Sequence, residues 1–309
     1  MNQVIVIAGP TASGKTGLSV EVAKQLNTEI VSADSMQIYQ GMDVGTAKVT
    51  ETEKQGILHH MIDIVSPMEN YNVSQYAEDA KKCVYSILEK GKIPVIAGGT
   101  GLYINSLVYG YDLAPIPSDD SIRQELTSVY EEKGGEYLLE ELRKIDPKTA
   151  DRLHPNNARR LIRALEVYRI SGTTISQQEE RTKNAPNPYD VLFFVLDTDR
   201  DKLYERINLR VDMMLQNGLV DEVKKLIENG VPKTNTAMQA IGYKEMVEYL
   251  DGYLTYCEAV EKIKQESRRY AKRQLTWFRR NEGAIWLEAS LPKAELLSQV
   301  MNELKKGGQ

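Results

Sequence analysis

VIVIAGPTASGKT, residues 4–16, is the stretch on which the fold turns. Residues 4–8 are an unbroken apolar run of strand length, the pattern of a parallel strand buried on both faces. The run leads directly into Gly9, Pro10, Thr11, Ala12, Ser13, Gly14, Lys15 and Thr16, which fit the spacing Gly-x-x-x-x-Gly-Lys-Thr. Residues 18–26 then carry apolar side chains at helical spacing. Strand, glycine loop and helix in that order are the context in which such a loop cradles phosphate. Successive backbone N–H groups and the helix N-terminus face an anion, glycine permits the close turn, and Lys15 adds a point charge. The Thr16 hydroxyl can face a magnesium ion. What carries the phosphates the loop leaves open, with ATP as the default.

The same strand-and-helix alternation continues outward from that stretch. Residues 30–33 read as a second short strand ending at Asp34. Residues 74–89 carry Tyr76, Ala80, Cys83, Val84, Ile87 and Leu88 at helical spacing, and Lys90-Gly91 supplies the stop. IPVIAGG (93–99) is a strand entering a Gly-rich turn, and 101–108 opens the next helix. The pattern predicts an α/β fold, a parallel sheet covered by helices on both faces. It changes at APIPSDD (114–120), where Pro115 and Pro117 break regular structure and Ser118 is a candidate helix cap. Residues 121–180 are polar and helical in period, and VLFFVLD (191–197) returns to buried-strand character. We therefore expect a helical insertion over 118–187 in a sheet domain built from 1–117 and 188–309. That domain's helix-rich tail turns near Asn217-Gly218, Asn229-Gly230 and Asp251-Gly252, and AIWLEA (284–289) forms a last edge strand.

Composition narrows the class. The 309 residues are 41% hydrophobic and 27% charged, ordinary for a soluble globular chain. No apolar run is long enough to span a membrane, and the opening residues lack a secretion leader, so the expected location is the cytoplasm. Cys83 and Cys257 read as small buried hydrophobes in a reducing compartment, with no zinc-site spacing. The formal net charge of −5 leans against a large nucleic-acid surface, but the mean hides two local excesses. Residues 143–169 hold eight Lys or Arg against three acids, and residues 262–280 hold eight against one. Local potential rather than the sum governs phosphate contact, so both segments are candidates for it.

Several residues stand where chemistry could use them. Asp34, at a strand's C-terminal end on the phosphate-loop edge, can accept a proton or hydrogen bond from an attacking amine, or hold magnesium indirectly. It can equally cap the following turn. Asp197, ending the 191–197 strand, competes for the metal. Thr100, in Gly98-Gly99-Thr100-Gly101, can donate to a substrate oxygen or belong to a purely structural turn. His59 and His60 are adjacent, so in an extended chain they point apart and suit packing better than a shared metal. Asn156 or Asn157 can cap a helix bearing Arg159, Arg160 and Arg163, and arginine both forks phosphate and stacks on unpaired bases. From these residues alone, an ATP-dependent kinase of a nucleoside or other small molecule reads best, with the arginine helix as its lid. A non-catalytic, nucleotide-gated RNA-binding module is a further reading.

Taken in order, GPTASGKT (9–16), SADSMQIYQGMDVGTAK (32–48), HHMIDIVSP (59–67), IPVIAGGTGLY (93–103), HPNNARRLIRALEVY (154–168) and AKRQLTWFR (271–279) resemble the tRNA dimethylallyltransferase family. The likeness runs from about residue 4 into the 280s, shows no departure at the phosphate loop or Asp34, and lacks a tail zinc module, as in the short bacterial form. It implies a P-loop NTPase-like core whose loop, residues 9–16, holds the pyrophosphate of dimethylallyl pyrophosphate. The dimethylallyl group passes to N6 of adenosine 37 in tRNAs reading codons that begin with U. Magnesium is required, with Thr16 as the expected contact. The resemblance makes Asp34 the general base and Lys15 and Arg206 the groups that neutralise the leaving pyrophosphate. Thr100 is placed at the mouth of the reaction channel. It implies that the tRNA anticodon stem-loop meets Asp34, Ser35, Met36, Gln37, Thr100, Arg123, Arg159, Arg160, Leu161, Ile162 and Arg163. Weaker expectations fall on residues 239–244 and 262–280. A monomer is expected.

Overall fold

The opening apolar run forms β1 (Gln3–Ala8), with Val4, Ile5, Val6, Ile7 and Ala8 wholly inaccessible to solvent. In the computed structural model, which describes residues 2–110, 119–184 and 186–307, the chain divides into two compact units. One comprises Met1–Val108 and Tyr189–Gln309, the other Tyr109–Pro188.

The first half of the larger unit contains α1 (Lys15–Gln25), β2 (Ile30–Ser32), α2 (Glu51–Lys54), β3 (His59–His60), α3 (Val73–Glu89), β4 (Val95–Gly98) and α4 (Gly101–Val108). The smaller unit contains α5 (Asp120–Ile145), α6 (Pro147–Ala150), α7 (Ala158–Ser171) and α8 (Ile175–Asn184). The chain then returns with β5 (Asp190–Asp197), α9 (Arg200–Gln216), α10 (Leu219–Glu228), α11 (Tyr243–Leu250), α12 (Tyr256–Phe278), β6 (Ile285–Glu288) and α13 (Lys293–Gly307).

The six strands run parallel in the order β3-β2-β4-β1-β5-β6. β1 lies at the interior, Ile5 opposite Val95 of β4 and Val6 opposite Phe193 of β5. This explains its unbroken apolar sequence: strands flanked on both sides and covered on both faces meet no water. Ile5 and Ile7 join Leu18 and Val22 of α1, Leu196 of β5 and Val300 of α13 in one buried cluster. Tyr76 of α3 donates its hydroxyl to Ser32 O at 3.0 Å, tying α3 to β2. α3 begins at Asn72, whose side chain accepts from Ser74 N and Gln75 N while Gln75 answers to Asn72 N. It ends before Gly91, at a left-handed φ of 69°. The parallel sheet, the edge strand near residue 285 and the helices beginning near 74 and 101 follow the sequence pattern.

Four details differ from it. β3 was not foreseen, because two residues carry no periodicity; it pairs with β2, Ile30 opposite His59. Asn157 occupies the N-cap position of α7 without a side-chain cap bond. Ser118 falls outside the described residues, and the cap of α5 is Asp119, whose Oδ1 accepts from Ser121 N at 2.9 Å and Ile122 N at 3.1 Å. The cysteines are not buried: Cys83 is half-exposed and Cys257, on the solvent side of the first turn of α12, is exposed.

The smaller unit packs Leu126, Leu138, Leu142, Leu161 and Leu165 together. Within it, Glu166 is completely buried and ion-paired to Arg123 at 2.8 Å and Arg163 at 2.7 Å. Asp119 N donates to the same carboxylate at 3.0 Å. Among the described residues, no helix is long and apolar enough to cross a membrane.

Candidate active site

The phosphate loop joins β1 to α1 through Gly14, the helix N-cap, at a left-handed φ of 89°. Ala12 also holds a positive φ, 62°. The loop is turned tightly enough for Lys15 Nζ to donate back to Pro10 O at 3.3 Å. Burial draws the Lys15 ammonium down to about 8; the Arg210 guanidinium adds to this and the Asp34 carboxylate opposes it. Arg210 is itself lowered by burial, again with Asp34 opposing. Ser13 Oγ and Arg210 Nε are buried without a hydrogen-bond partner. Two desolvated cations and unused donors around one loop make a site whose energy improves sharply when an anion enters.

That loop forms one side of a cavity of about 330 Å³. Lys15, Thr16, Asp34 and Arg210 supply its polar side, and Val49, Ile62, Met214, Ile241 and Ile263 supply apolar wall. Of the residues expected at the site, Thr11, Lys15, Thr16, Asp34, Ser35, Met36 and Gln37 line it. Asp34 serves both readings offered for it. Its Oδ1 accepts from Met36 N at 2.9 Å and Gln37 N at 3.4 Å, capping the turn, and the residue still faces the cavity. Thr100 stands behind that wall: its Oγ1 accepts from Ser35 N at 3.1 Å and donates to Ser35 Oγ at 3.3 Å. Asp197 is outside the cavity, its Oδ1 engaged by Thr198 N at 2.9 Å.

Arg206 is exposed and does not line the cavity; Arg210, one turn further along α9, does. The two lie four residues apart and share a helix face, so sequence spacing cannot choose between them. Thr11 also departs from expectation. Its N–H donates to the Gln274 side chain at 3.0 Å, so this amide is engaged by the protein. Gln274 and Tyr270, both on α12, line the cavity, and neither stood out beyond the AKRQLTWFR motif that contains Gln274. Burial and the charge of Asp34 push the Tyr270 hydroxyl up to about 12, so it stays protonated beside the carboxylate.

The DVGTAK segment (43–48) is held by a carboxylate that sequence reading did not single out. Glu222 accepts from Asp43 N and Val44 N at 2.8 Å and from Gly45 N at 3.0 Å. A Cβ on Gly45 would overlap the Tyr243 ring, and the Tyr243 hydroxyl donates to the same Glu222 carboxylate at 2.5 Å. Lys48, buried, donates to Tyr39 O at 2.8 Å and pairs with Asp43 and Asp63. The Gln37 side chain donates to Thr46 O and Ala47 O at 3.3 Å, so the segment is fixed where Gly45 and Thr46 meet the cavity.

In the helical unit the five expected contacts on α7 separate by face. Arg159 and Arg160 are exposed, Leu161 is wholly buried and Ile162 packs against its cluster. Leu161 is therefore a core residue of this unit, on the inward stripe of the helix, and Ile162 lies at the edge of its cluster. Arg163, like Arg123, is ion-paired to Glu166.

A central strand, a Gly-x-x-x-x-Gly-Lys-Thr turn and a helix at the interior of a parallel sheet define a P-loop NTPase-like fold with a cavity beside the loop. A family model described as IPP transferase matches residues 37–281. A tRNA dimethylallyltransferase of Acetivibrio thermocellus is 51% identical over 287 residues, covering 93% of this chain and 92% of the relative. One of Carboxydothermus hydrogenoformans is 48% identical over 297 residues, covering 96% and 95%. The crystal structure of a full-length tRNA isopentenylpyrophosphate transferase from Bacillus halodurans superposes with a TM-score of 0.75 at 43% identity, covering 99% of this chain and 96% of that one. This chain belongs to the IPP transferase family, a family of prenyl transferases.

Proposed function

We propose that the cavity binds dimethylallyl pyrophosphate and transfers its dimethylallyl group to N6 of adenosine 37 in tRNAs reading codons that begin with U. The observation that carries this reading is the convergence of Lys15, Arg210 and Asp34 on one cavity with an apolar wall. A pyrophosphate seated on residues 9–16 would meet the loop amides, Lys15 and Arg210. These are preorganised to stabilise the charge that develops as the C–O bond to pyrophosphate breaks. The allylic carbon shares positive charge over its double bond, so cleavage can lead and a weakly nucleophilic aromatic amine suffices. As the N6–C bond forms, Asp34 accepts the N6 proton or orients the amine that loses it. The apolar wall keeps water from the carbocation-like group.

Magnesium fits this site. It takes few protein oxygens and keeps phosphate oxygens and waters as its other ligands, and the exposed Thr16 hydroxyl on the cavity wall offers one such oxygen. When bound it would neutralise pyrophosphate charge. Arg159 and Arg160, exposed in the first turn of α7, are suited to the phosphates of the anticodon stem-loop, where an unpaired base is cheapest to flip.

The test is incubation with magnesium, unmodified tRNA and dimethylallyl pyrophosphate labelled in the prenyl group, beside a tube with γ-labelled ATP and nucleosides. Prenyl label on tRNA is the expected result. Transfer of phosphate to a nucleoside, with tRNA unlabelled, would make the protein a kinase.

A further inference from the structure

Gln274 is a buried amide, 6% exposed, with both ends engaged. Its Oε1 accepts from Thr11 N in the phosphate loop at 3.0 Å, and its Nε2 donates to Gly99 O in the turn after β4 at 2.8 Å. The loop carries the candidate pyrophosphate site. The turn carries Thr100, which accepts from Ser35 N beside Asp34. One side chain therefore bridges the segment that would hold the leaving group and the segment that would hold the nucleophile.

The surrounding chain is built around that bridge. A Cβ on Gly99 would overlap the Gln274 amide, and a Cβ on Gly101 would overlap the Trp277 ring. Both glycines are thus required by the close approach of α12. Tyr270, one turn before Gln274, also lines the cavity. Residues 270, 274 and 277 fall on one stripe of α12. Burying an uncharged amide with both polar ends satisfied fixes distance and direction without adding charge to the site.

The geometry points to Gln274 as a positioning residue, setting the spacing between the phosphate loop and the Asp34 turn, and hence between the allylic carbon and the attacking amine. This rests on the function proposed above. Displacement demands reacting atoms within about 3–3.5 Å, and an error of about 1 Å can cost 100-fold in rate. A group acting only through spacing should alter turnover far more than binding of either partner alone.

The experiment compares wild type with Gln274→Ala and Gln274→Met in the full chain. It measures kcat with dimethylallyl pyrophosphate and unmodified tRNA, KM for tRNA, affinity for inorganic pyrophosphate with magnesium, and thermal midpoint. Gln274→Met keeps the bulk of the side chain and its lack of charge but makes neither hydrogen bond, so it separates loss of the bridge from loss of packing. We expect Gln274→Ala to lower kcat about 10- to 100-fold while tRNA KM and pyrophosphate affinity stay within about threefold. Gln274→Met should lower kcat nearly as far, with a smaller fall in thermal midpoint. Unchanged kcat in Gln274→Ala would overturn the assignment. So would losses of kcat and pyrophosphate affinity that run in parallel and follow the thermal midpoint across both variants. Wild-type turnover in the same assay separates the two levels, since its absence would remove the proposed function itself, whereas a wild-type rate retained in both variants removes only the role of Gln274.

Discussion

Lys15 offers the sharpest measurement, because its protonation couples the cavity to the binding of an anion. In the ligand-free protein burial draws the ammonium down to about 8 from the ordinary 10.5. Holding the charge at that site without an anion therefore costs about 3 kcal/mol. A bound pyrophosphate supplies the missing counter-charge and raises the group again, so binding requires the protonated form. At pH 7 about 90% of the free protein carries that proton, and at pH 9 about 10% does, so affinity for dimethylallyl pyrophosphate should fall about tenfold between them. The substrate's own phosphates are already ionised across this range. Lys15→Arg keeps the charge at every pH and should flatten the profile. Stability of the ligand-free protein should move the other way. Between about 8 and 10.5 the unfolded chain binds more protons at this site than the folded one, so Lys15 contributes stability that rises with pH. Calorimetric titration from pH 7 to 9.5, with magnesium fixed and wild type beside Lys15→Arg, reads the first effect. Thermal melts of both proteins without ligand read the second. A wild-type affinity that stays level across this range, or a Lys15→Arg profile that falls with it, would refute the placement of a depressed lysine against the anion.

Arg210→Ala should weaken dimethylallyl pyrophosphate binding by tenfold or more, the loss of a charge-assisted contact of about 1.5–3 kcal/mol, while Arg206→Ala stays within about threefold; the same titration decides between them. Asp34→Asn keeps a carbonyl oxygen for the N–H groups of Met36 and Gln37, so the fold should survive while kcat falls about 10²- to 10⁴-fold. Single-turnover transfer of labelled prenyl group to tRNA, with circular dichroism as the folding control, measures it. Gly101→Ala forces a methyl group onto the Trp277 ring and should destabilise the protein by about 1–3 kcal/mol, seen in urea unfolding followed by tryptophan fluorescence. An unaltered unfolding midpoint would mean that α12 does not press on this turn.

The sheet was legible because its instructions are local. The apolar runs at 4–8, 93–97 and 191–196 read as buried strands without knowledge of their neighbours, and each formed one. The phosphate loop was legible for the same reason: its glycines, Lys15 and Thr16 act within eight consecutive residues. Asp34 could be placed at a strand end, although its double duty as turn cap and cavity wall could not be seen from its neighbours.

Tertiary structure decided the matters that depend on pairing across the chain. Arg206 and Arg210 share a helix face, and only the packing of α9 brings the second to the cavity. The sequence offers Arg123 and Arg163 to the tRNA, and only the fold shows the buried Glu166 paired with both. Glu222 meets its three amides 177 to 179 positions away, and Gln274 meets Thr11 across 263. Periodicity and motif spacing report what a residue does over one or two turns of helix or a few residues of strand. A hydrogen bond that closes a loop of hundreds of residues leaves no such local trace, and here those bonds hold the loop, the turn and the acid at one cavity.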